Sequence, residues 1–393
     1  MNEATLEYVR QHANDDVRQL ALRGSKDAAV DMTAALQQIA GLQVARRKLP
    51  SWAAKEGLLY PPHLAMEQCS SEQTARYKAQ VISGFSEKQR MVDLTGGFGI
   101  DFSFLAPLFD EAIYVERQKE LCRLARHNFS TLGTACEVVC TDSTDYLQQL
   151  DQTSVIFIDP ARRDASGART YGLSDCTPDV LQLRPLLLQK ARYVVMKLSP
   201  MLDWRKTVSD LGQEVVREVH IVAVGGECKE LLLVLSAEGE GLRLICTNDD
   251  ELFEASNPMS PVSAISPISP TTPVRFLYEP NAAIMKAGCF GELSQRFGIS
   301  QLAQNSHLFV SDRLVSDFPG RKFRIKEVSS MNKRELKEKI TPLSQANITV
   351  RNFPLTVAEL RKRLKMSEGG SNYIFATTLA NGDHVLMVCQ KEL

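Results

Sequence analysis

The 393-residue sequence lacks the features of several specialised protein classes. No apolar run approaches the roughly 20 residues that span a bilayer, and residues 1–10 are too polar for a secretion signal. The nine cysteines are scattered singly, without a CxxC pair or a histidine at zinc-ligand spacing. We therefore expect a cytoplasmic protein with no membrane segment and no metal, whose thiols are mostly buried and reduced.

A strong overall charge is also absent, because the net charge is only −1. With 44% hydrophobic and 24% charged residues, the composition is that of an ordinary globular protein long enough for two or three domains. Residues 321–393, however, contain 14 Lys and Arg against 7 Asp and Glu, a local net charge of +7. Such a basic segment can attract nucleic acid, although a solvated helical face would have the same composition.

The apolar pattern changes along the chain. Residues 1–85 contain helix-like spacing and few β-branched runs, which predicts a helical N-terminal region. From Met91, short apolar runs alternate with amphipathic stretches, a pattern typical of a mainly parallel sheet covered by helices on both faces. We assign residues 86–256 to this α/β domain.

Five prolines among serines and threonines at 257–273 are poor material for a helix or a central strand. This composition predicts a linker between domains. Beyond it we expect a small α/β module at 274–320 and a basic module at 321–393, with a helix near Thr356–Leu364 and strands near Tyr373–Thr378 and His384–Cys389.

A glycine-rich segment, DLTGGFGID at 93–101, directly follows a predicted strand and precedes a predicted helix. Glycines let the backbone approach a ligand closely, and this position suits a nucleotide-cofactor loop. A sharp turn without a ligand would also use glycines. The loop lacks the GxGxxG spacing of dehydrogenases, which argues against a nicotinamide cofactor.

Three acidic positions follow at the ends of the next predicted strands. Glu116 lies 23 residues after Asp93, near the offset of about 20 at which a carboxylate binds ribose hydroxyls. Asp142 with Ser143 and then Asp159 with Pro160 end the following two strands. Because open α/β sheets bind ligands at the carboxyl ends of their strands, the four clusters together predict one cofactor site.

The order of these motifs resembles class I S-adenosylmethionine-dependent methyltransferases over roughly residues 86–240. The segment YEPNAAIMKAG at 278–288 and the basic tail extend the resemblance to a bacterial family that carries a ferredoxin-like module and a C-terminal THUMP-like domain. The resemblance implies a doubly wound, Rossmann-like α/β methyltransferase domain with a helical N-terminal region and small α+β C-terminal modules. It also implies S-adenosylmethionine as cofactor and, since THUMP domains accompany RNA-modifying enzymes, RNA as partner.

Within that resemblance, Asp93 and the loop Gly96–Gly99 would flank the methionine part of the cofactor, Glu116 would hold the ribose, and Asp142 with Ser143 would border the adenine. The full cofactor-binding set is Asp93, Thr95, Gly96, Gly97, Phe98, Gly99, Asp101, Glu116, Arg117, Asp142, Ser143 and Asp159.

The candidate catalytic residues are Asp159, Pro160, Arg162 and Lys197. Enzymes that methylate exocyclic amines use a related Asn/Asp-Pro-Pro-aromatic motif, but here Ala161 and Arg162 replace its last two positions. Arg162 either clamps a phosphate or carboxylate, stacks on a base, or is a surface residue.

A second arrangement resembles the Lys-Asp-Lys-Glu set of ribose methyltransferases. It would join Asp159 and Lys197 to one further glutamate and one further lysine. The sequence leaves open Glu227 or Glu230, and Lys78 or Lys88. A simple salt bridge is the alternative to this arrangement.

The sequence thus favours an RNA methyltransferase with a base or ribose acceptor. The alternatives are a small-molecule methyltransferase and a cofactor-binding protein without transfer activity. No oligomeric state is indicated.

Overall fold

The computed structural model describes residues 1–162, 172–255 and 274–392, with Arg162 described in its backbone only. The chain divides into two compact units. The first comprises Met1–Val219 with Lys229–Leu242, and the second comprises His220–Cys228 with Arg243–Leu393. The linker expected at 257–273 lies outside the described residues and stays a prediction.

The chain begins with helices, as expected for the N-terminal region. Short polar side chains cap several of them: Asp31 accepts a hydrogen bond from the Ala34 amide, and Ser71 accepts one from the Thr74 amide. The helices are α1 (Glu3–Gln11), α2 (Val17–Arg23), α3 (Met32–Lys48), α4 (Pro50–Ala53), α5 (His63–Gln68) and α6 (Glu72–Ser83).

The α/β part of unit 1 then alternates strands with helices. Its elements are β1 (Arg90–Asp93), α7 (Ile100–Leu105), β2 (Glu111–Glu116), α8 (Lys119–Leu132), β3 (Glu137–Cys140), α9 (Ser143–Gln149), β4 (Thr153–Ile158), β5 (Ala161–Arg162), β6 (Cys176–Thr177), α10 (Val180–Lys190), β7 (Ala191–Leu198), α11 (Trp204–Leu211), β8 (Val216–Val224) and β9 (Glu227–Leu235). Both β8 and β9 extend across the division between the units.

Within unit 1 the strands of the large sheet lie in the order β9–β7–β4–β1–β2–β3. Strands β7, β4, β1, β2 and β3 are parallel, and β9 pairs antiparallel with β7. The chain places β2 and β3 on one side of β1 and then returns to place β4 and β7 on the other. This reversal creates a crevice at the carboxyl ends of β1 and β4, as in doubly wound ligand-binding sheets. The predicted α/β architecture is therefore confirmed.

Two apolar clusters hold this crevice in place. In one, Phe102 of α7 and Phe129 of α8 pack against the Tyr114 ring of β2. In the other, Trp52 of α4 contacts the Phe98 ring, with 5.2 Å between ring centroids and an edge-on geometry. The N-terminal helices and the glycine-rich loop consequently share one core.

Unit 2 contains the antiparallel pair β10–β11 and a second sheet. Among its described residues the sheet has seven strands in the order β13–β14–β12–β15–β18–β17–β16. Its elements are β10 (Arg243–Asn248), β11 (Glu251–Ala255), β12 (Phe276–Pro280), α12 (Ala282–Ala287), α13 (Phe290–Phe297), β13 (Ser300–Gln301), β14 (Phe309–Ser311), β15 (Gly320–Ser330), α14 (Lys333–Glu335), a π-helix (Leu336–Ile340), β16 (Asn347–Arg351), α15 (Val357–Leu364), β17 (Asn372–Thr378) and β18 (His384–Lys391).

The two small modules expected in this region share that sheet, because β12 pairs antiparallel with β15 from Phe276–Arg324 to Pro280–Gly320. The helix expected near Thr356–Leu364 is α15, which Thr356 caps together with Glu359. The two strands expected after it are β17 and β18. The small α+β character predicted for the C-terminal region is thus confirmed.

Candidate functional site

A cavity of about 540 Å³ opens in unit 1 at the carboxyl ends of β1, β2 and β4. All twelve residues predicted to bind the cofactor line it, and so does Lys197. Pro160 is buried and is not among the lining residues. The side chain of Arg162 lies outside the described residues, so the role suggested for it stays a prediction. Its backbone forms β5, which pairs antiparallel with β6.

The glycine-rich loop is shaped by packing as well as by any ligand. A Cβ on Gly96 would lie 2.1 Å from the Tyr114 ring, and a Cβ on Gly99 would lie 2.7 Å from the Phe129 ring. Gly99 also has a φ of +86°, which disfavours larger residues. Both glycines are therefore required by the aromatic core beneath the loop.

The Glu116 carboxylate joins this loop to the end of β2. One of its oxygens accepts the Gly97 amide at 3.0 Å and the other accepts the Gln118 amide at 2.8 Å. The side chain is buried yet lines the cavity. Each carboxylate oxygen keeps a lone pair, so this fixed group can also accept hydrogen bonds from two hydroxyls of a ligand.

Asp142 is exposed and caps α9, accepting the Thr144 amide at 2.8 Å. A cap alone would explain an aspartate here, but the residue also borders the cavity beside Ser143.

Asp93 is the most enclosed acid of the cavity, with 1% of its surface exposed. Its carboxylate accepts the Thr95 amide at 3.0 Å. Burial raises the pKa of Asp93 well above its usual value, and the nearby carboxylates of Asp101, Asp159 and Glu116 raise it further. This acid is consequently held toward its neutral form.

On the wall of the cavity, Asp159 and Lys197 form an ion pair. The Lys197 ammonium lies 2.5 Å from Asp159 Oδ2 and 3.9 Å from Asp101 Oδ2. The Asp159 amide donates to Thr95 Oγ1 at 2.6 Å, which ties the end of β4 to the glycine-rich loop. Burial alone would lower the pKa of Lys197, but the carboxylates of Asp159, Asp101 and Glu230 outweigh it and raise that pKa. Lys197 is therefore a permanent cation.

A buried group of charges lies behind this pair. Lys78 of α6 is fully buried, and its ammonium lies 2.6 and 2.8 Å from the two Glu230 oxygens and 3.2 Å from Asp101 Oδ1. Asp101 accepts the Ser70 hydroxyl at 2.7 Å. Although burial opposes it, the two lysines lower the pKa of Asp101. We call Lys78, Asp101, Asp159, Lys197 and Glu230 the lysine–carboxylate network.

This network decides between the pairs that the sequence left open. Lys88 lies on the surface and donates to the Ser83 carbonyl at 2.7 Å, and Glu227 is exposed at the start of β9. Lys78 and Glu230 are the buried partners. Sequence reasoning missed Ser70 and the wall that α5 and the following turn contribute, namely Ala65, Gln68, Cys69 and Ser70. A serine before a helix normally indicates only a cap, so no signal in the sequence pointed to it.

The described lining residues give the cavity an acidic character. Six of them are acids and two are cations. Even with Asp93 neutral, the balance favours a cationic ligand and disfavours a polyphosphate. The acids are Asp93, Asp101, Glu116, Asp142, Asp159 and Asp179, and the cations are Arg117 and Lys197.

The doubly wound sheet, the glycine-rich loop and the acid at the end of β2 together define the class I methyltransferase architecture. Family models match the ferredoxin-like domain at 276–319 and the THUMP domain-like region at 320–391. The crystal structure of a "putative methyltransferase" from Porphyromonas gingivalis W83 is 34% identical, covers 99% of this chain and 98% of its own, and has a TM-score of 0.87.

The chain belongs to this family of class I S-adenosylmethionine-dependent methyltransferases with ferredoxin-like and THUMP-like domains.

Two further solved structures resemble part of the chain. An S-adenosylmethionine-dependent methyltransferase from Agrobacterium tumefaciens is 15% identical over 42% of this chain and 62% of its own, with a TM-score of 0.32. An rRNA methylase from Streptococcus thermophilus is also 15% identical, over 42% of this chain and 95% of its own, with a TM-score of 0.31. Neither is close enough to assign a substrate. No curated protein matches the sequence.

In the described part of the chain, no group of three or more His, Cys, Asp or Glu side chains is arranged to hold a metal ion. None of the helices described is both long and apolar enough to cross a membrane.

Proposed function

We propose that the protein binds S-adenosylmethionine in the unit 1 cavity and transfers the methyl group to RNA. The observation that carries the cofactor assignment is the convergence of Asp93, the glycine-rich loop and Glu116 on one acidic cavity. A sulfonium is cationic, and an adenosine ribose offers two hydroxyls to a carboxylate such as Glu116. The methionine part would lie at Asp93 and the loop, and the adenine beside Asp142 and Ser143.

Methyl transfer from a sulfonium is an in-line displacement on an activated donor. The acceptor's electron pair forms a bond to the methyl carbon while the bond from sulfur to carbon breaks, leaving a neutral thioether. The protein must therefore position both partners and exclude water, rather than supply a nucleophile. The wall formed by Gln68, Cys69 and Ser70 can exclude water. Asp159 and Lys197 can contact the acceptor and position it.

RNA is supported by the basic C-terminal region and by its THUMP-like match. Among the described residues of this region, several exposed cations make no ion pair, whereas Arg321, Arg324 and Arg351 each pair with a glutamate. The exposed set is available for phosphate groups. It comprises Lys333, Lys337, Lys362, Arg363 and Lys365.

The test uses the full chain, methyl-labelled S-adenosylmethionine and total RNA from cells lacking the gene. We expect labelled RNA with the wild type and loss of at least about 100-fold in rate with Asp159→Asn, since asparagine keeps the shape but not the negative charge that contacts the acceptor. Both proteins should bind the unlabelled cofactor in calorimetry.

RNA contact is tested by replacing Lys362, Arg363 and Lys365 with Glu, which reverses the three charges. We expect the KM for RNA to rise by at least about tenfold and its salt dependence to weaken. Reversal of Arg18, Arg23 and Lys26, which are equally exposed in the N-terminal region, is the matched control. Equal effects of both triple variants would contradict a specific role for the C-terminal region.

Cofactor binding without labelled RNA would refute the RNA proposal. Label appearing instead in a low-molecular-weight extract would identify a small-molecule methyltransferase. No label in either would indicate a cofactor-binding protein without transfer activity.

A further inference from the structure

The wall of the cavity presents two opposite charges, those of Asp159 and Lys197, to an acceptor that enters the cavity. Asp159 and Lys197 are 2.5 Å apart, both line the cavity, and 38% of the Asp159 side chain is exposed. An acceptor therefore meets one hydrogen-bond acceptor and one permanent cation side by side, and not an isolated carboxylate.

We propose, resting on the function above, that the acceptor is a group of RNA that develops negative charge during transfer, because its O–H or N–H releases a proton as it attacks the methyl group. Two groups have this chemistry: the ribose 2′-hydroxyl and the imide-type N–H of uracil or guanine. The inference excludes exocyclic amino groups and carbon atoms as acceptors.

The charge of Lys197 is fixed by its surroundings. Three carboxylates face it, from Asp159 after β4, Asp101 in α7 and Glu230 in β9. Lys78 and Ser70 hold Asp101 on its other side. The ammonium is consequently neither a free amine nor a general base, and the ion pair with Asp159 holds it at the cavity.

This cation discriminates between acceptors by the charge that each develops. An amine that attacks a methyl sulfonium becomes positively charged, and a neighbouring ammonium disfavours that charge. A hydroxyl or imide that releases its proton gains negative charge instead, which the ammonium stabilises. The pair is thus complementary to an acceptor that develops negative charge.

The acceptor oxygen or nitrogen donates its hydrogen to the Asp159 carboxylate as its electron pair attacks the methyl carbon. The proton passes to Asp159 and then to solvent, the bond from sulfur to carbon breaks, and the products are methylated RNA and a neutral thioether.

The decisive experiment labels total RNA from cells lacking the gene with the full-length protein and methyl-tritiated S-adenosylmethionine. One portion is hydrolysed in alkali and another is digested to nucleosides for mass spectrometry. A 2′-O-methyl group blocks alkaline cleavage at its own linkage, so label in alkali-resistant dinucleotides identifies a ribose acceptor. Label in N3-methyluridine or N1-methylguanosine identifies an imide acceptor. Either result supports the inference.

Label in N6-methyladenosine, N4-methylcytidine, N2-methylguanosine or a carbon-methylated base would overturn the inference and leave the proposed function intact. No labelled RNA, with cofactor binding retained, would overturn the proposed function and this inference with it.

Two variants test the role of the cation on whichever RNA is labelled. Lys197→Met should lower kcat by at least about 100-fold, because the stabilising charge is lost, while Lys197→Arg keeps the charge and should restore part of that loss. Cofactor affinity, measured by calorimetry, should change by less than about threefold in both. Equal losses in the two variants, or a loss confined to cofactor affinity, would contradict the assignment.

Discussion

The protein contains two clusters of buried charge that differ in their surroundings. In the lysine–carboxylate network of unit 1, Lys78 and Glu230 are nearly inaccessible, while Lys197 and Asp159 reach the cavity. In unit 2, the buried Glu279 of β12 accepts Arg321 of β15 at 2.6 Å and Arg351 of β16 at 2.8 Å.

The Glu279 cluster has no carboxylate oxygen without a partner. Both carboxylate oxygens are occupied by guanidinium groups, and the cluster joins the ferredoxin-like strand β12 to two strands of the THUMP-like region. The network of unit 1 instead ends in a cavity. The comparison separates a charge cluster that only joins strands from one whose last pair lines a cavity, and only the second kind is placed to contact a ligand.

The largest effect should come from Lys78→Met in unit 1. This change leaves Glu230 and Asp101 buried without their shared cation, and we expect a loss of about 3–5 kcal/mol in the free energy of unfolding. Calorimetric unfolding measures it. The double variant Lys78→Met with Glu230→Gln removes the stranded charge and should recover at least half of the loss. No recovery would show that packing, and not charge pairing, dominates at Lys78.

A smaller effect is expected for Glu279→Gln, the matched change in unit 2. Arg321 and Arg351 are 45% and 37% exposed, so water can solvate them when the carboxylate charge is removed. We expect a loss of about 1–2 kcal/mol in the unfolding transition of unit 2. Cofactor affinity should be unchanged in calorimetric titration. A changed affinity would contradict a purely structural role for this cluster.

Glu116 belongs to neither cluster, and its replacement should mainly affect cofactor binding. Glu116→Gln keeps the shape but replaces one acceptor oxygen by a donor and removes the charge facing the ribose. We expect the Kd for S-adenosylmethionine to rise by about 10- to 100-fold, with a loss of about 1–2 kcal/mol in the free energy of unfolding because one of the two backbone amides bound by Glu116 then faces a donor. An unchanged Kd would mean that the ribose lies elsewhere.

The smallest effect should come from Asp93→Asn and should depend on pH. The pKa of Asp93 is raised in the folded protein, so the native state binds its proton more tightly than the unfolded chain does. Stability is therefore lost as pH rises from the unfolded pKa of about 4 through the folded pKa.

Asparagine keeps the acceptor for the Thr95 amide without the charge. The variant should melt about 2 °C or more above the wild type at pH 8, and the difference should shrink toward pH 4. A difference independent of pH would contradict the raised pKa.

Much of unit 1 was predictable from the sequence. The strands ending at Asp93, Glu116, Cys140 and Ile158 follow directly from local apolar runs, and their order along the chain predicted which acids meet at one sheet edge. The helical nature of the N-terminal region was predictable as well. Its contribution to the cavity was not, because Ser70 and Lys78 resemble an ordinary helix cap and an ordinary helical lysine.

The strand and helix pattern, the acidic strand ends and the basic C-terminal region were determined by the sequence, since each depends on residues close together in the chain. Which lysine and which glutamate complete the lysine–carboxylate network was decided by tertiary structure. Lys78 and Glu230 are separated by 152 residues, and their pairing depends on how α6 and β9 pack around α7 and β7. Glu227 and Glu230 point to opposite faces of β9, so the packing of one face of this strand beside α6 determines which of the two is buried against Lys78.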